Sequence, residues 1–361
     1  MSGDSLPQMP VPELLTELLT APGPPGHESE PARVWREAAE EFADEVTTDK
    51  LGTTVARANG RGDSPLMVVV GHIDEIALLV SHVTDKGYLR VVQSGGWDGQ
   101  VLVGQRVEVT TRDGMIPGVV GRKPPHLTDP DERKKAVQVK DLHVDIGAKD
   151  GDEARSLVKT GDQIVIAAEP LELRGERVIS RALDNRLGVF VAIEVARRVK
   201  EAGGGGGPVA GVAAVQEEIG AHGARVMAYG LEPDLAVVVD VTHATDAPGV
   251  EPGELGDHGL GSGPVVTRGA IVNRAIVDLL DEVAEEEGIE CTTEAAGRGT
   301  GTDADVVHLS RTGVPTAVVS IPLRYMHSPV EMVDLADVEA TIKLLTALAL
   351  RLEADTRLAR W

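Results

Sequence analysis

The 361-residue sequence contains a single cysteine, Cys291, so no disulfide within the chain can stabilise its fold. Aromatic residues make up only 2% of the chain, which means that valine, leucine, isoleucine and alanine must fill the core. Lys and Arg number 35 against 58 Asp and Glu, which gives a formal net charge of -23. This charge argues against binding of nucleic acid or of an anionic membrane surface through bulk electrostatics.

Long hydrophobic runs are also absent, since none approaches the roughly 18 apolar residues of a membrane-spanning helix. The N-terminal sequence MSGDSLPQMPVPELLTELL lacks the basic start and the apolar core of a secretion signal. We therefore predict a cytoplasmic protein with no membrane partner. The length and the 42% hydrophobic content allow one large core or two domains.

Apolar runs alternate with amphipathic segments along most of the chain, which predicts an α/β fold with a mixed sheet flanked by helices. Buried strands are predicted at PLMVVVGH, GPVAGVAAVQ, LAVVVDV and PTAVVSIP, and helices at PELLTELLT, IVNRAIVDLLDEVAEEEG and DLADVEATIKLLTALALRLEAD. Between residues 73 and 177 the runs become short and alternating, with Gly, Pro and Asp-Gly between them, which is typical of a small β-rich unit. We therefore predict a discontinuous α/β domain over residues 1–72 and 178–361, with an inserted β-rich domain over 73–177.

Acidic and histidine side chains interrupt the apolar segments at five places, most of them where a predicted strand meets a loop. They are His72 with Asp74, Asp184, Glu217 with Glu218, Asp240, and His327. Burial of an unpaired charge is costly, and sites in open α/β sheets form at strand ends. Carboxylates and imidazoles together are ligands for zinc, cobalt or manganese, so the pattern indicates a metal centre.

Each of these residues also has a simpler structural interpretation. A histidine at a strand end is more often a hydrogen-bonded polar residue than a ligand. Asp184 is equally well placed to cap the helix that follows it. Asp240 is compatible with a turn, and the adjacent acids Glu217 and Glu218 are compatible with facing water. Without a metal centre, each of these separate interpretations would have to be true at its own position, and this favours the metal centre. Spacing alone nevertheless leaves the metal centre and the structural interpretations open.

Five segments carry a more specific signal. GHIDEIALLV, SRALDNRLG, VQEEIGAHGA, VVVDVTHATDAPG and GTDADVVHLSRTGVPTAVVSIPLRYMHSPVEMVD follow one another between about residues 70 and 335. In this order they resemble the signatures of the tetrahedral, or TET, aminopeptidases, also called glutamyl aminopeptidases and sometimes endoglucanase M. The resemblance extends over essentially the whole chain. It implies a metallopeptidase fold whose insertion serves assembly and access, and commonly a dodecamer with an internal chamber.

The resemblance also implies two divalent metal ions per subunit, with zinc or cobalt expected first and manganese as an alternative. His72 and Asp240 would bind one ion, Glu218 and His327 would bind the other, and Asp184 would bind both. The implied reaction removes N-terminal residues from peptides with a free N-terminus. In such sites a hydroxide is held between two ions about 3.5–4 Å apart.

Two further residues take roles by the same resemblance. Glu217 would be the general base, and Asp74 would orient His72 from the side opposite the metal. Glu217 and Glu218 would thus be adjacent in the chain but would perform different tasks. Two other functions stay open from the sequence: a dinuclear-metal amidohydrolase or deacylase on the same fold, and a non-catalytic assembly protein.

Three positions depart from the family's pattern. Asn185 stands where a second Asp is common, Thr300 where a Gly is common, and Ser262 where a Lys is frequent. None of them is an implied ligand, so they bear on loop shape, local charge and substrate preference. Asp303 is interpreted as a helix cap or loop former rather than as a ligand.

Overall fold

The structure, a computed structural model, describes residues 10–62, 64–127 and 129–358. Within these ranges the α-helices are, in chain order, α1 (Glu13–Thr20), α2 (Ser29–Glu40), α3 (Gly99–Leu102), α4 (Pro130–Arg133), α5 (Gly151–Leu157), α6 (Leu183–Glu201), α7 (His222–Leu231), α8 (Pro252–Leu255), α9 (Arg274–Glu287), α10 (Ala304–Val307) and α11 (Leu335–Arg351). None of these helices is long and apolar enough to cross a membrane. The first nine residues, where the sequence predicts no secretion signal, lie outside the described ranges.

The strands in the same ranges form three sheets. In chain order they are β1 (Glu45–Thr48), β2 (Thr54–Ala58), β3 (Met67–His72), β4 (Ala77–Val83), β5 (Leu89–Ser94), β6 (Arg106–Thr111), β7 (Gly114–Arg122), β8 (Leu142–Asp145), β9 (Gln163–Ile166), β10 (Leu171–Glu172), β11 (Arg177–Ser180), β12 (Val209–Ala214), β13 (Leu235–His243), β14 (Val265–Gly269), β15 (Thr292–Ala296), β16 (Thr316–Leu323) and β17 (Glu331–Asp334).

An eight-stranded mixed sheet lies at the centre of the larger part of the molecule, in the order β1-β2-β12-β3-β13-β16-β14-β15. Its four central strands, β12, β3, β13 and β16, run parallel to one another. Their sequences are nearly continuous apolar runs because both faces of the sheet are buried. Helix α6 packs against β3, β12 and β13, and α11 packs against α6. The structure therefore confirms the predicted helix-flanked α/β fold with a mixed sheet.

Strands β4 to β9 form a separate closed barrel in the order β4-β5-β8-β7-β6-β9. A cluster of buried aliphatic side chains fills its interior, including Leu89, Val107 and Val144. The eight-stranded sheet and its helices enclose a different hydrophobic cluster. The division into an α/β domain (1–72 and 178–361) and an insertion (73–177) stays a prediction, and the two separate clusters support it.

A three-stranded antiparallel sheet, β10-β11-β17, leads the chain from the barrel into α6. Helix α6 approaches β3 closely because both elements have a glycine at the point of contact, Gly188 in the helix and Gly71 in the strand. A Cβ atom on Gly71 would lie only 2.3 Å from the carbonyl carbon of Gly188. The buried Trp35 fixes α2 to the same helix, since its Nε1 donates to the carbonyl oxygen of Val189 at 2.9 Å. These contacts place the first turn of α6 beside the C-terminal end of β3.

Candidate metal centre

The C-terminal ends of neighbouring parallel strands meet at one edge of the central sheet. Strand β3 ends at His72, and the register places Ala214, the last residue of β12, directly opposite it. Glu217 and Glu218 follow Ala214 by three and four residues, in the loop after β12. The two acids therefore lie just beyond the edge of the sheet, beside His72. In a loop, adjacent side chains need not point to opposite sides as they do in a strand.

Asp240 reaches the same edge from inside a strand. It lies in β13 three residues before the strand ends, not at the strand end itself. Strand β13 extends further than β3, and the register pairs Val238 with Val70, so Asp240 is level with His72. Asp240 is buried within the sheet, and the turn interpretation of this residue is therefore wrong.

Asp184 lies in the first turn of α6 but does not cap the helix. The N-cap residue is Ala182, and residues 184 and 185 have φ and ψ angles outside the helical range, with a cis peptide bond between them. One carboxylate oxygen of Asp184 lies 3.1 Å from Nε2 of His72, and the other lies 3.3 Å from Nε2 of His327. The capping interpretation is therefore wrong, and each oxygen faces a different histidine.

The possible ligand atoms of the described residues fall into three overlapping groups: one of His72, Glu217 and Glu218, and two that share Asp184. Of the two that share Asp184, one consists of His72, Asp184 and Asp240, and the other of Asp184, Glu218 and His327; within each group the atoms all lie within 4.8 Å of one another. In the last of these groups, Nε2 of His327 also lies 3.4 Å from a carboxylate oxygen of Glu218. These histidine and carboxylate groups could bind a metal ion.

The electrostatics of these groups fit divalent cations. Burial raises the pKa of Asp240 well above its usual range. Burial acts in the same direction on Asp184, but His327 and His72 outweigh it and lower the pKa of that carboxyl. The carboxylates of Asp184 and Glu218 raise the pKa of His327 to about 11. Protonation of these groups would offset part of the buried negative charge, and divalent cations would offset it in the same way.

Glu217 lies beside both groups that share Asp184 and is the more accessible of the two adjacent acids. Its side chain is 15% exposed, against 6% for Glu218. Its carboxylate lies 3.8 Å from Nε2 of His72. Burial raises the pKa of Glu217 to about 8, with the charge of His72 opposing this and that of Asp303 adding to it. A raised pKa makes this carboxylate a stronger proton acceptor in its ionised form, which is the form that a general base needs.

Asp74 is fully buried and contacts the loop after β12 as well as His72. Its two oxygens accept hydrogen bonds from the backbone N–H groups of Glu217 (3.0 Å) and Glu218 (3.1 Å). Its distance to Nδ1 of His72 is 3.4 Å, which is longer than an ordinary hydrogen bond. The role implied for Asp74, that it orients His72, stays a prediction. Its hydrogen bonds show in addition that it holds the backbone of Glu217 and Glu218 in place.

Sequence reasoning did not single out two further buried carboxylates. Glu28 accepts the backbone N–H of Gln216 at 3.2 Å, at a residue whose φ is +59. Glu331 accepts the backbone N–H groups of Asp184 (3.0 Å) and His327 (2.9 Å). No composition or spacing signal marks an acid that binds backbone amides of distant residues, so neither could be found from the sequence.

The barrel also reaches the candidate site through the loop that follows β5. A Cβ atom on Gly96 would lie 3.0 Å from Nδ1 of His327, and one on Gly95 would lie 3.1 Å from a carboxylate oxygen of Glu218. The backbone of this loop therefore lies directly against two possible ligands. At Gly95, whose φ is +82, a Cβ atom would also lie 2.5 Å from the side chain of Ile76, whereas at Gly96 it would require His327 to move by a few tenths of an ångström.

The departures noted in the sequence do not remove a ligand. Asn185 is fully buried, where its Nδ2 donates to the carbonyl oxygen of Val239 and its Oδ1 accepts from the N–H of Gly188, both at 2.8 Å. An ionised Asp could not donate the first of these bonds. Thr300 donates its backbone N–H and its hydroxyl to Asp305. Both groups of the Asn185 amide therefore have hydrogen-bond partners that suit an asparagine at this position.

Asp303 is the N-cap residue of α10, as the interpretation as a helix cap expects, but only its position and not its side chain fulfils that role. The side chain forms no capping hydrogen bond. Both of its oxygens are buried and have no hydrogen-bond partner among the described residues. Burial raises the pKa of Asp303 to about 7, and the nearby charge of Asp74 adds to this while that of His72 opposes it.

Comparison with known proteins covers nearly the whole chain. The sequence model of the M42 glutamyl aminopeptidases matches residues 52–344. A lysyl aminopeptidase from Pyrococcus furiosus is 37% identical over 341 residues, which cover 93% of this chain and 96% of that protein. Every residue predicted for the site lies within the range that the family model matches.

Solved structures are similar over the same length. The TET aminopeptidase from the marine sediment archaeon Thaumarchaeota archaeon SCGC AB-539-E09 superposes with a TM-score of 0.91 at 39% identity, over 95% of this chain and 97% of that one. The TET1 peptidase of Pyrococcus horikoshii has a TM-score of 0.82 at 34% identity, over 94% and 99% of the two chains. That peptidase can assemble into a tetrahedron or a large octahedral shell.

Proposed function

The chain belongs to the M42 glutamyl aminopeptidase family and is an aminopeptidase, and from this premise we propose that it cleaves N-terminal residues from peptides with two divalent metal ions held around Asp184. The observation that carries the proposal is the geometry of this one carboxylate. Its two oxygens lie 3.1 and 3.3 Å from the Nε2 atoms of His72 and His327. A bridging ligand needs this arrangement, because it must offer one anionic oxygen to each of two cations.

The remaining ligands follow from the two groups that share Asp184. His72 and Asp240 would hold the first ion with Asp184, and Glu218 and His327 would hold the second with the same carboxylate. Zinc and cobalt are the ions that we propose first, with manganese as an alternative, because all three accept mixed nitrogen and carboxylate ligands. Bound there, the ions would activate a water molecule as the nucleophile and polarise the scissile carbonyl.

Glu217 acts as the general base in this proposal. It accepts a proton from the attacking water and donates it to the amine that leaves when the peptide bond breaks. Asp74 holds the backbone of Glu217 and Glu218 and faces His72, so one buried carboxylate positions the base and two ligands. Substrates are peptides with a free N-terminus. The family and its relative from Pyrococcus furiosus are named for glutamyl and lysyl residues.

The test compares three substrates that share one scissile bond type. We expect hydrolysis of a peptide with a free N-terminus and none of its N-acetylated form or of an N-acetylated amino acid. A chelator should abolish the hydrolysis, and added zinc or cobalt should restore it. Preferential cleavage of the acetylated compounds would instead indicate a deacylase. A metal-loaded protein that is inactive on every substrate would indicate an assembly protein, and full activity after complete metal removal would refute the proposal.

We further propose self-association into a dodecamer. The TET1 peptidase of Pyrococcus horikoshii can assemble into a tetrahedron, and a closed shell with the rotational symmetry of a tetrahedron contains twelve equivalent subunits. Light scattering should therefore report a mass about twelve times that of one chain. A monomer or dimer at working concentration would contradict the assembly without affecting the metal centre. The cytoplasmic location stays a prediction.

A further inference from the structure

Glu331 is a buried acid that the proposed chemistry does not use. Its residue is only 2% exposed, and it is the first residue of β17. Its Oε2 accepts the backbone N–H of Asp184 at 3.0 Å, and its Oε1 accepts the backbone N–H of His327 at 2.9 Å. One side chain thus binds the main chain of two residues that are 143 positions apart in the sequence.

The position of Glu331 is fixed independently of these bonds. Strand β17 pairs with β11, and Ser180 lies opposite Glu331 in the register. Val333, on the same strand, is fully buried in the hydrophobic cluster of the larger unit. The small sheet and the hydrophobic cluster therefore hold the backbone of Glu331 without its hydrogen bonds to Asp184 and His327.

Both of the segments that Glu331 binds lack regular hydrogen-bonded structure at the ligand. Asp184 lies before the regular part of α6, with non-helical backbone angles. His327 lies in the connection between β16 and β17 with a φ of +56, a conformation that non-glycine residues seldom adopt. Neither backbone N–H is part of a helix or strand ladder, so each depends on the carboxylate for its partner.

We propose that Glu331 is a positioning residue that sets the relative placement of Asp184 and His327, and with it the geometry of the second metal site. This inference rests on the proposed function, since it assumes that these residues bind metal. Glu331 and Asp74 then have matching tasks, because each accepts two backbone N–H groups from residues of the proposed centre.

The chemistry requires a carboxylate at this position. An ionised carboxylate offers two acceptor oxygens, whereas glutamine offers one oxygen and a donor amide. In Glu331→Gln one of the two backbone N–H groups would face another donor, so its segment would move. Glu331→Asp keeps both oxygens, but the side chain is one methylene shorter and cannot reach both amides at the present distances.

The chain supplies a matched control in Asp337. It is 1% exposed, and its two oxygens accept the backbone N–H groups of Gly261 (2.8 Å) and Gly263 (2.7 Å). The bonds therefore have the same chemistry as those of Glu331, but the segment they hold carries none of the proposed ligands. Asp337→Asn should lower the melting temperature and leave metal binding unchanged.

The experiment is a cobalt titration of metal-free wild type, Glu331→Gln, Glu331→Asp and Asp337→Asn, monitored by the visible absorption of the bound ion, with circular dichroism to establish folding. Loss of an outer contact of this kind typically weakens metal affinity by about 10- to 100-fold. We expect such a loss, with an altered spectrum, for the cobalt ion of the second site in Glu331→Gln, and a smaller loss in Glu331→Asp.

Wild-type affinity and spectrum in either folded Glu331 variant would overturn the inference, and so would an equal loss of affinity in Asp337→Asn. If Glu331→Gln does not fold, Glu331→Asp decides alone by the same criterion. A wild-type protein that binds no cobalt would refute the proposed function, and the inference with it. These outcomes distinguish failure of the positioning role from failure of the metal centre.

Discussion

Glu217→Gln is expected to keep both metal ions and to lower kcat by about 100-fold or more, the loss typical of a missing general base. Glutamine has nearly the same shape, and the contact that positions this residue is made by its backbone N–H to Asp74, which the substitution leaves intact. An amide cannot accept the proton of the attacking water. Measurement of kcat and of bound metal on the same sample checks both parts of the expectation.

Glu218→Gln is the matched control, because it makes the same change one residue later in the same loop. Its carboxylate lies 3.4 Å from Nε2 of His327, in the ligand group of the second site. We therefore expect metal occupancy to fall at that site, with a secondary loss of activity that excess metal partly restores. An equal fall of metal content in both variants would refute the division of tasks between the two acids.

Asp184→Asn is expected to reduce affinity at both metal sites together and to bring activity close to background. The neutral amide provides one oxygen, while the other atom that faces a histidine becomes an NH₂ group and cannot bind a cation. Because Asp184 does not cap α6, the helix should form in the variant, and circular dichroism should report a largely native fold. If Asp184 were only a cap, metal affinity and activity would instead stay unchanged, since Asn caps helices about as well as Asp.

The central strands could be predicted from the sequence because burial on both faces makes them continuous apolar runs. The polar residues that interrupt those runs, such as His72 and Asp240, were visible for the same reason. Their convergence was not visible, because it depends on which strands are neighbours and in what register. Asp240 shows this: its place beside His72 comes from the register of β13 on β3, which no local pattern encodes.

The roles within the site came from the resemblance to a family and not from spacing. Asp184 illustrates the limit, since a residue just before a long helix is equally well explained as a cap, and only the backbone angles and the two histidine distances exclude that interpretation. Glu331 and the Gly95–Gly96 loop could not be predicted. Glu331 binds the backbone of residues that are distant in the sequence, and the backbone of the glycine loop packs against distant side chains. Neither kind of contact produces a periodic pattern in the sequence.

Metal stoichiometry is the most direct test of the two-metal centre. Metal-free wild type and Asp184→Asn would be titrated with zinc, and the ions bound per chain would be counted by elemental analysis after removal of free metal. Our account predicts two ions per wild-type chain and a joint loss of affinity at both sites in the variant. Wild-type protein that saturates with one ion or none, or a folded Asp184→Asn that retains two ions at wild-type affinity, would contradict it.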